Sequence, residues 1–150
     1  SVPVSTIGMK RGILDLGEAR DLAFDPVEVG AAIPLKHVRW AKGKADLDPI
    51  ARTELDALAE RLMVNPSVRI EVGVHTDARG ETDDDVKLTT ARAKAIVDHL
   101  RSKGVPGDRV VGKGYGHTRL LNHCAPGVEC TEEEHAENRR TEYKVTAVDR

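Results

Sequence analysis

From Pro34 onward, apolar and polar positions fall into two alternating rhythms. Residues 35–40 (Leu-Lys-His-Val-Arg-Trp) read as a strand. Asp48-Pro49 is a helix start, with Asp as cap and Pro at the first helical position. Ile50, Leu55, Leu58, Leu62 and Met63 then recur at near-helical spacing until Asn65-Pro66 stops the run. Val68, Ile70, Val72 and Val74 alternate with Arg69, Glu71, Gly73 and His75, the period of a half-buried strand. A polar loop from Thr76 to Lys87 follows, and Thr89 is expected to cap a second helix with Ala93, Ile96, Val97 and Leu100 on its apolar face and Lys103-Gly104 at its end.

Residues 109–115 read as a third strand, whose Gly112, Gly114 and Gly116 imply a tight turn or a close neighbour at its far end. Thr131 caps a short helix over 132–138, and 140–148 reads as a closing strand. The order predicts an α+β fold: a mixed four-stranded sheet with two to three helices on one face. Residues 1–33 lack such patterning and are expected to form an extended arm or a few short strands laid against a domain spanning 34–150, which holds no repeat or internal linker.

Composition narrows the function classes. The chain has 150 residues, 39% hydrophobic and 32% charged, so one ordinary core is affordable. Aromatics are few (Phe24, Trp40, Tyr115, Tyr143), which leaves Val, Ile, Leu and Ala to fill it. A formal charge of −2 argues against nucleic acid, whose binders carry a basic excess. No apolar run approaches the ~20 residues of a membrane-spanning helix, and no secretory signal is visible. Because the chain opens at Ser1, a mature form or a piece of a longer protein is expected, and the missing signal says nothing about compartment.

Cys124 and Cys130 lie in a Pro/Gly loop short enough to bring their sulfurs together, and a bridge there implies an oxidising compartment. Two free thiols remain a reading, and so does a zinc site drawing on His117, His123 and His135. The spacing matches none of the tight CxxC patterns of zinc sites, so no metal and no cofactor is assigned.

The most informative stretch joins the second strand to the second helix. Asp77 falls just past the carboxyl end of strand 68–75, where open sheets present ligand sites. Arg92, three residues after the expected cap Thr89, is a cation where the helix dipole favours anions. Free N–H groups and a guanidinium make a carboxylate receptor, and Asp77 supplies an acceptor for an ammonium; together they suit an amino-acid head group. The plainer reading is that Asp77 and Arg92 pair with each other, or that Asp77 caps a turn.

This context resembles the OmpA-like C-terminal, peptidoglycan-associated domain family. The resemblance runs through residues 35–146 and is carried by His75-Thr76-Asp77-Ala78-Arg79-Gly80, Leu88-Thr89-Thr90-Ala91-Arg92-Ala93, Lys103-Gly104-Val105, Gly114-Tyr115-Gly116 and Asn138-Arg139-Arg140-Thr141-Glu142. It implies that Asp77 and Arg92 clasp the diaminopimelate-type residue of a peptidoglycan stem peptide. It further implies that Asp85 (where Asn is usual) and Arg139 stand at the rim, with Leu88 and Thr76 lining the site. Arg140 has a structural alternative on the strand face. Two departures stand out: Trp40-Ala41-Lys42-Gly43 replaces the usual Phe-Asp-Phe-Asp/Asn, so a polar ligand contact is lost or passes to Lys42, and Thr89 replaces Ser. The Cys124–Cys130 loop and the acidic run after it look like a variant insertion of structural role.

The function this implies is non-covalent binding of peptidoglycan in the periplasm. It would anchor an outer-membrane-associated assembly, whose other domains or subunits are the further partners. An envelope protein-interaction domain that kept the fold without the ligand is the alternative. An enzyme is not expected, since no nucleophile elbow, HExxH motif or convincing metal triad appears. Asp83-Asp84-Asp85 reads as a solvated loop, and Gly112-Lys113-Gly114-Tyr115-Gly116 lacks the spacing of a nucleotide motif.

Overall fold

A computed structural model describes residues 29–148. The elements are β1 (Ala32–Pro34), α1 (Pro49–Val64), β2 (Val68–His75), α2 (Thr82–Ser102), β3 (Val110–Gly116), α3 (Glu132–Asn138) and β4 (Arg140–Val148), with a 3-10 turn at Gly107–Arg109. The four strands lie in the order β1-β4-β2-β3. β4 runs antiparallel to both its neighbours, and β2 and β3 are parallel, joined by the α2 crossover. The mixed four-stranded sheet expected from the sequence is therefore present.

The even positions of β2 point into a core filled from α1 (Leu55, Leu58, Leu62) and α2 (Ala93, Ile96, Val97, Leu100). These helices cover one face because each is apolar along a single stripe. Ile50 and Met63, expected on the inner stripe of α1, are exposed; Ala51 and Ala59 take the buried positions. Asp48 caps α1 as anticipated, accepting the Ala51 N–H at 2.7 Å.

Two expectations fail. The strand expected over 35–40 is not one. The ladder stops at Pro34, and Leu35 and Val38 turn into the core three residues apart, with Lys36 and His37 exposed between them. A burial period of three is a turn's, which the Val38 N–H to Leu35 carbonyl bond closes at 3.1 Å. The first strand consequently straddles the expected 33/34 boundary, while residues 1–28 of the expected arm lie outside the described residues.

The second correction is that α2 starts seven residues before Thr89. The run Asp83-Asp84-Asp85, expected in a loop, forms its first turn, where carboxylates complement the helix dipole. Thr89 is interior and fully buried. Its hydroxyl donates back to the Asp85 carbonyl at 2.8 Å and accepts the Gly116 N–H at 3.0 Å, tying α2 to the end of β3.

Candidate functional site

The site is assembled where β2 and β3 end and α2 begins. A register shift after Val74 aligns His75 with Gly116, and the Thr76 N–H bonds the Gly116 carbonyl at 2.8 Å. The strand ends at His75, Asp77 and Ala78 stay buried beyond it, and Gly116 sits at a φ of +56°, which lets the backbone reverse beside α2.

Asp77 is 8% exposed and anchors an ionic square. One carboxylate oxygen accepts the Arg79 N–H at 3.0 Å; the other accepts Arg79 Nη2 at 2.9 Å and Arg139 Nη1 at 2.8 Å. Both arginines continue to Glu132, Arg79 at 3.0 Å and Arg139 at 2.7 Å. Burial alone would raise the Asp77 pKa, but the hydrogen bonds from Arg79 and Arg139 outweigh it and hold the carboxyl far below the usual carboxylate range. Hydrogen bonds from Arg139 and then Arg79 likewise lower Glu132.

Asp85 forms a second cluster beside the first. Its Oδ2 accepts the Thr76 hydroxyl at 3.2 Å and lies 2.9 Å from His117 Nδ1, whose other ring nitrogen is 3.1 Å from the Thr82 hydroxyl. Asp85 also supplies an acidic charge felt by Arg92.

Arg92 is not where the sequence put it. It lies in the third turn of α2, away from the free N–H groups at the helix start, so the receptor expected from a helix N-terminus and a guanidinium does not form. Arg92 is 8% exposed; its guanidinium donates to the Lys44 carbonyl at 2.7 Å and the Ala41 carbonyl at 3.1 Å, and stands 5.3 Å from the Trp40 ring. Burial lowers its pKa, and Asp85 opposes that. Arg92 thus staples the 41–44 loop, which Trp40 holds from the other side through a 3.0 Å bond to Thr141. Among the described residues Asp77 and Arg92 are not paired with each other; each has partners of its own. The Arg92 bonds to the Lys44 and Ala41 carbonyls leave from Nε and Nη2, and among the described residues Arg92 Nη1 donates none.

Thr76 and Leu88 are half-buried at this end of the sheet, and Arg139 joins Asp77. Arg140 takes the strand-face role, 3.3 Å from Glu142 and donating to the Arg119 carbonyl at 3.0 Å. Three members of the site were not picked out from the sequence: Arg79, Glu132 and His117. Arg79 lies inside the quoted stretch after Asp77, but Glu132 and His117 arrive through contacts spanning 53 and 32 residues, for which no local pattern exists.

Of the three readings of the cysteines, the structure has the bridge, with Cα atoms 6.1 Å apart. His117, His123 and His135 do not gather: His117 faces Asp85, and His135 is buried in α3. The bridged loop and Arg79 flank a polar groove of about 730 Å³, lined by Ala78, Arg79, Gly127, Val128, Glu132 and His135.

On the face of the sheet away from the helices, His75 stacks on Tyr115 at 5.0 Å and lies 3.2 Å from Glu142. Burial, then the charges of Arg140, Arg119 and Lys144, push its pKa down to about 4. A histidine of depressed pKa favours the folded state above the unfolded value of 6.5 and loses that contribution as pH falls toward 4. Urea melts between these limits should lose up to about 3 kcal/mol on acidification, and His75→Asn should flatten that part of the profile. An unchanged acid slope in the variant would mean that His75 does not carry it.

The model of the OmpA family matches residues 39–134, more than half of the chain. The chain is 32% identical over 108 residues to the peptidoglycan-binding protein ArfA of Mycobacterium tuberculosis, covering 72% of this chain and 32% of that protein. It is 35% identical over 89 residues to the peptidoglycan-associated lipoprotein of Legionella pneumophila, covering 59% of this chain and 48% of that one. This chain therefore spans a third to a half of the length of those relatives. Among solved structures, the cell wall anchor of the T6SS from Pseudomonas aeruginosa superposes with a TM-score of 0.62 at 24% identity, over 89% of this chain and 92% of that one. The peptidoglycan-associated lipoprotein from Burkholderia pseudomallei gives 0.62 at 21% identity, over 72% and 87%. These two likenesses establish the shared fold.

Proposed function

The chain belongs to the OmpA family, and from that premise we propose that it binds peptidoglycan without covalent chemistry, through the diaminopimelate-type residue of the stem peptide. The observation that carries this reading is the charge pattern. Asp77, Asp85 and Glu132 are interleaved with Arg79, Arg92 and Arg139 at one end of the sheet. Such a site is balanced overall and offers acidic and basic groups side by side, which favours a zwitterion over a simple cation or anion. Asp77 is ionised at every physiological pH and faces the ammonium. Arg79 and Arg139 are about half exposed, so either can swing aside as the ligand arrives. Arg92 Nη1 takes the carboxylate, Asp85 reinforces the ammonium pole, and Thr76 and Leu88 line the approach.

A carboxyl held this firmly ionised has no proton to give at neutral pH, so the site is read as a receptor rather than an acid catalyst. The relatives' names, which speak of peptidoglycan and of outer-membrane proteins, support a periplasmic domain that tethers an envelope assembly to the wall. No helix among the described residues is long and apolar enough to cross a membrane.

Calorimetric titration with a diaminopimelate-containing stem peptide tests this. Wild type should bind, a peptide with lysine in place of diaminopimelate should bind at least tenfold more weakly, and Asp77→Asn should lose at least tenfold. Equal affinity of wild type and Asp77→Asn would remove the assignment. One observation favours the alternative of an interaction domain without the ligand: Arg92 already serves the Lys44 and Ala41 carbonyls. Failure of the wild-type chain to sediment with insoluble peptidoglycan would decide for that alternative.

A further inference from the structure

The cysteine loop carries chemistry that wall binding does not use. Around the Cys124–Cys130 bridge stand His123 and Glu134, and one ligating atom of each of the four residues lies within 4.8 Å of the others. His123 Nε2 is 3.6 Å from Cys130 Sγ and 3.7 Å from Glu134 Oε2. A tetrahedral zinc ion bound at ordinary lengths sets its sulfur–nitrogen edge at about 3.6 Å, its nitrogen–oxygen edge at about 3.4 Å and its sulfur–sulfur edge at about 3.8 Å. The edges from His123 to Cys130 and to Glu134 are therefore close to those lengths while the bridge is closed, and the sulfur–sulfur edge must lengthen.

We propose that reduction of the Cys124–Cys130 bridge creates a zinc site from Cys124, Cys130, His123 and Glu134. The step balances with a dithiol reductant. It delivers two electrons and two protons to the bridge and is itself oxidised to a disulfide; zinc then displaces the two thiol protons and binds the thiolates. Two sulfurs, one imidazole and one carboxylate suit zinc rather than the hard cations, which prefer all-oxygen shells.

The site is built, because its frame does not depend on the bridge. Asn122 accepts the Cys124 N–H at 3.1 Å and donates to the Glu134 carbonyl at 2.8 Å. Asn138, fully buried, accepts the Leu121 N–H at 2.7 Å and donates to Asn122 at 2.8 Å. These bonds fasten the loop to α3 when the sulfurs part. Glu134 is oriented by a capping box: its Oε1 accepts the Thr131 N–H at 2.8 Å, which leaves Oε2 turned toward His123. His123 is well exposed and free to complete the shell.

The test titrates zinc against a chromophoric chelator, using the whole chain oxidised and then phosphine-reduced, with cobalt as a spectroscopic stand-in. Reduced wild type should take up one equivalent and show a thiolate-to-cobalt charge-transfer band, and the oxidised chain should show neither. His123→Ala, at an exposed position, and Glu134→Gln, which retains the capping bond, should each weaken zinc binding at least tenfold. The proposal is overturned if the reduced chain binds no zinc, if the oxidised chain binds equally well, or if both variants keep wild-type affinity. Loss of the folded circular dichroism signal on reduction would also overturn it, since the loop would then depend on the bridge.

Discussion

Gly114→Ala should be among the most damaging single-methyl additions in this chain, lowering stability by about 3 kcal/mol or more. A Cβ at Gly114 would lie 2.1 Å from the Thr90 backbone nitrogen, 2.5 Å from the Thr89 carbonyl carbon and 2.6 Å from Thr90 Cα. All three atoms belong to the α2 backbone, so no side-chain rotation relieves the clash; the helix must retreat from β3. That retreat would pull Ala93, Ile96 and Val97 off the core and break the Thr89–Gly116 bond that aligns Asp85 with Thr76. Gly112→Ala offers a graded comparison, because its first neighbour is a Val97 methyl at 2.9 Å, although the Ala93 carbonyl oxygen follows at 3.1 Å. Denaturant midpoints should therefore rank wild type above Gly112→Ala, and Gly112→Ala above Gly114→Ala. A Gly114→Ala chain as stable as wild type would mean that α2 does not press on β3 this closely.

The same contact shows why parts of the fold were readable in the sequence and parts were not. α1 and β2 were legible because caps and periodicity coincide: Asp48-Pro49 opens the helix, Asn65-Pro66 closes it, and Val68 to His75 alternates cleanly. The start of α2 was hidden because its first turn is acidic, so it carries no apolar stripe, and Thr89 in mid-helix imitates a cap. β1 was misplaced because its three residues are all exposed and the buried apolar residues follow it in a turn. At the candidate site, Asp77 was legible from its position at a strand end, and Arg92 was singled out from a helix start that lies seven residues earlier than expected. The family resemblance added Asp85 and Arg139. The ionic square was not legible, since Glu132 meets Arg79 only after the chain has folded back through β3 and the bridged loop.

The ligand contact proposed for Arg92 falls on the side chain that also holds the 41–44 loop, and its substitution separates the two roles. As a staple it satisfies two carbonyls of the 41–44 loop and stacks near Trp40, so Arg92→Ala should cost about 2 kcal/mol. As a ligand contact it should cost at least about a hundredfold in affinity for the stem peptide, the effect of losing a charge-assisted, partly buried bond. Arg92→Lys retains the charge but cannot reach both carbonyls in the fork geometry, so it should recover part of the affinity and little of the stability. Trp40→Phe supplies the contrast. It removes the Trp40–Thr141 bond and loosens the same loop while leaving the guanidinium in place. If Arg92 touches the ligand, calorimetry should find Trp40→Phe within about fivefold of wild type and Arg92→Ala far weaker. If both variants lose affinity to the same extent, Arg92 acts only by holding the loop, and the carboxylate pole of the ligand must be met by Arg79 or Arg139.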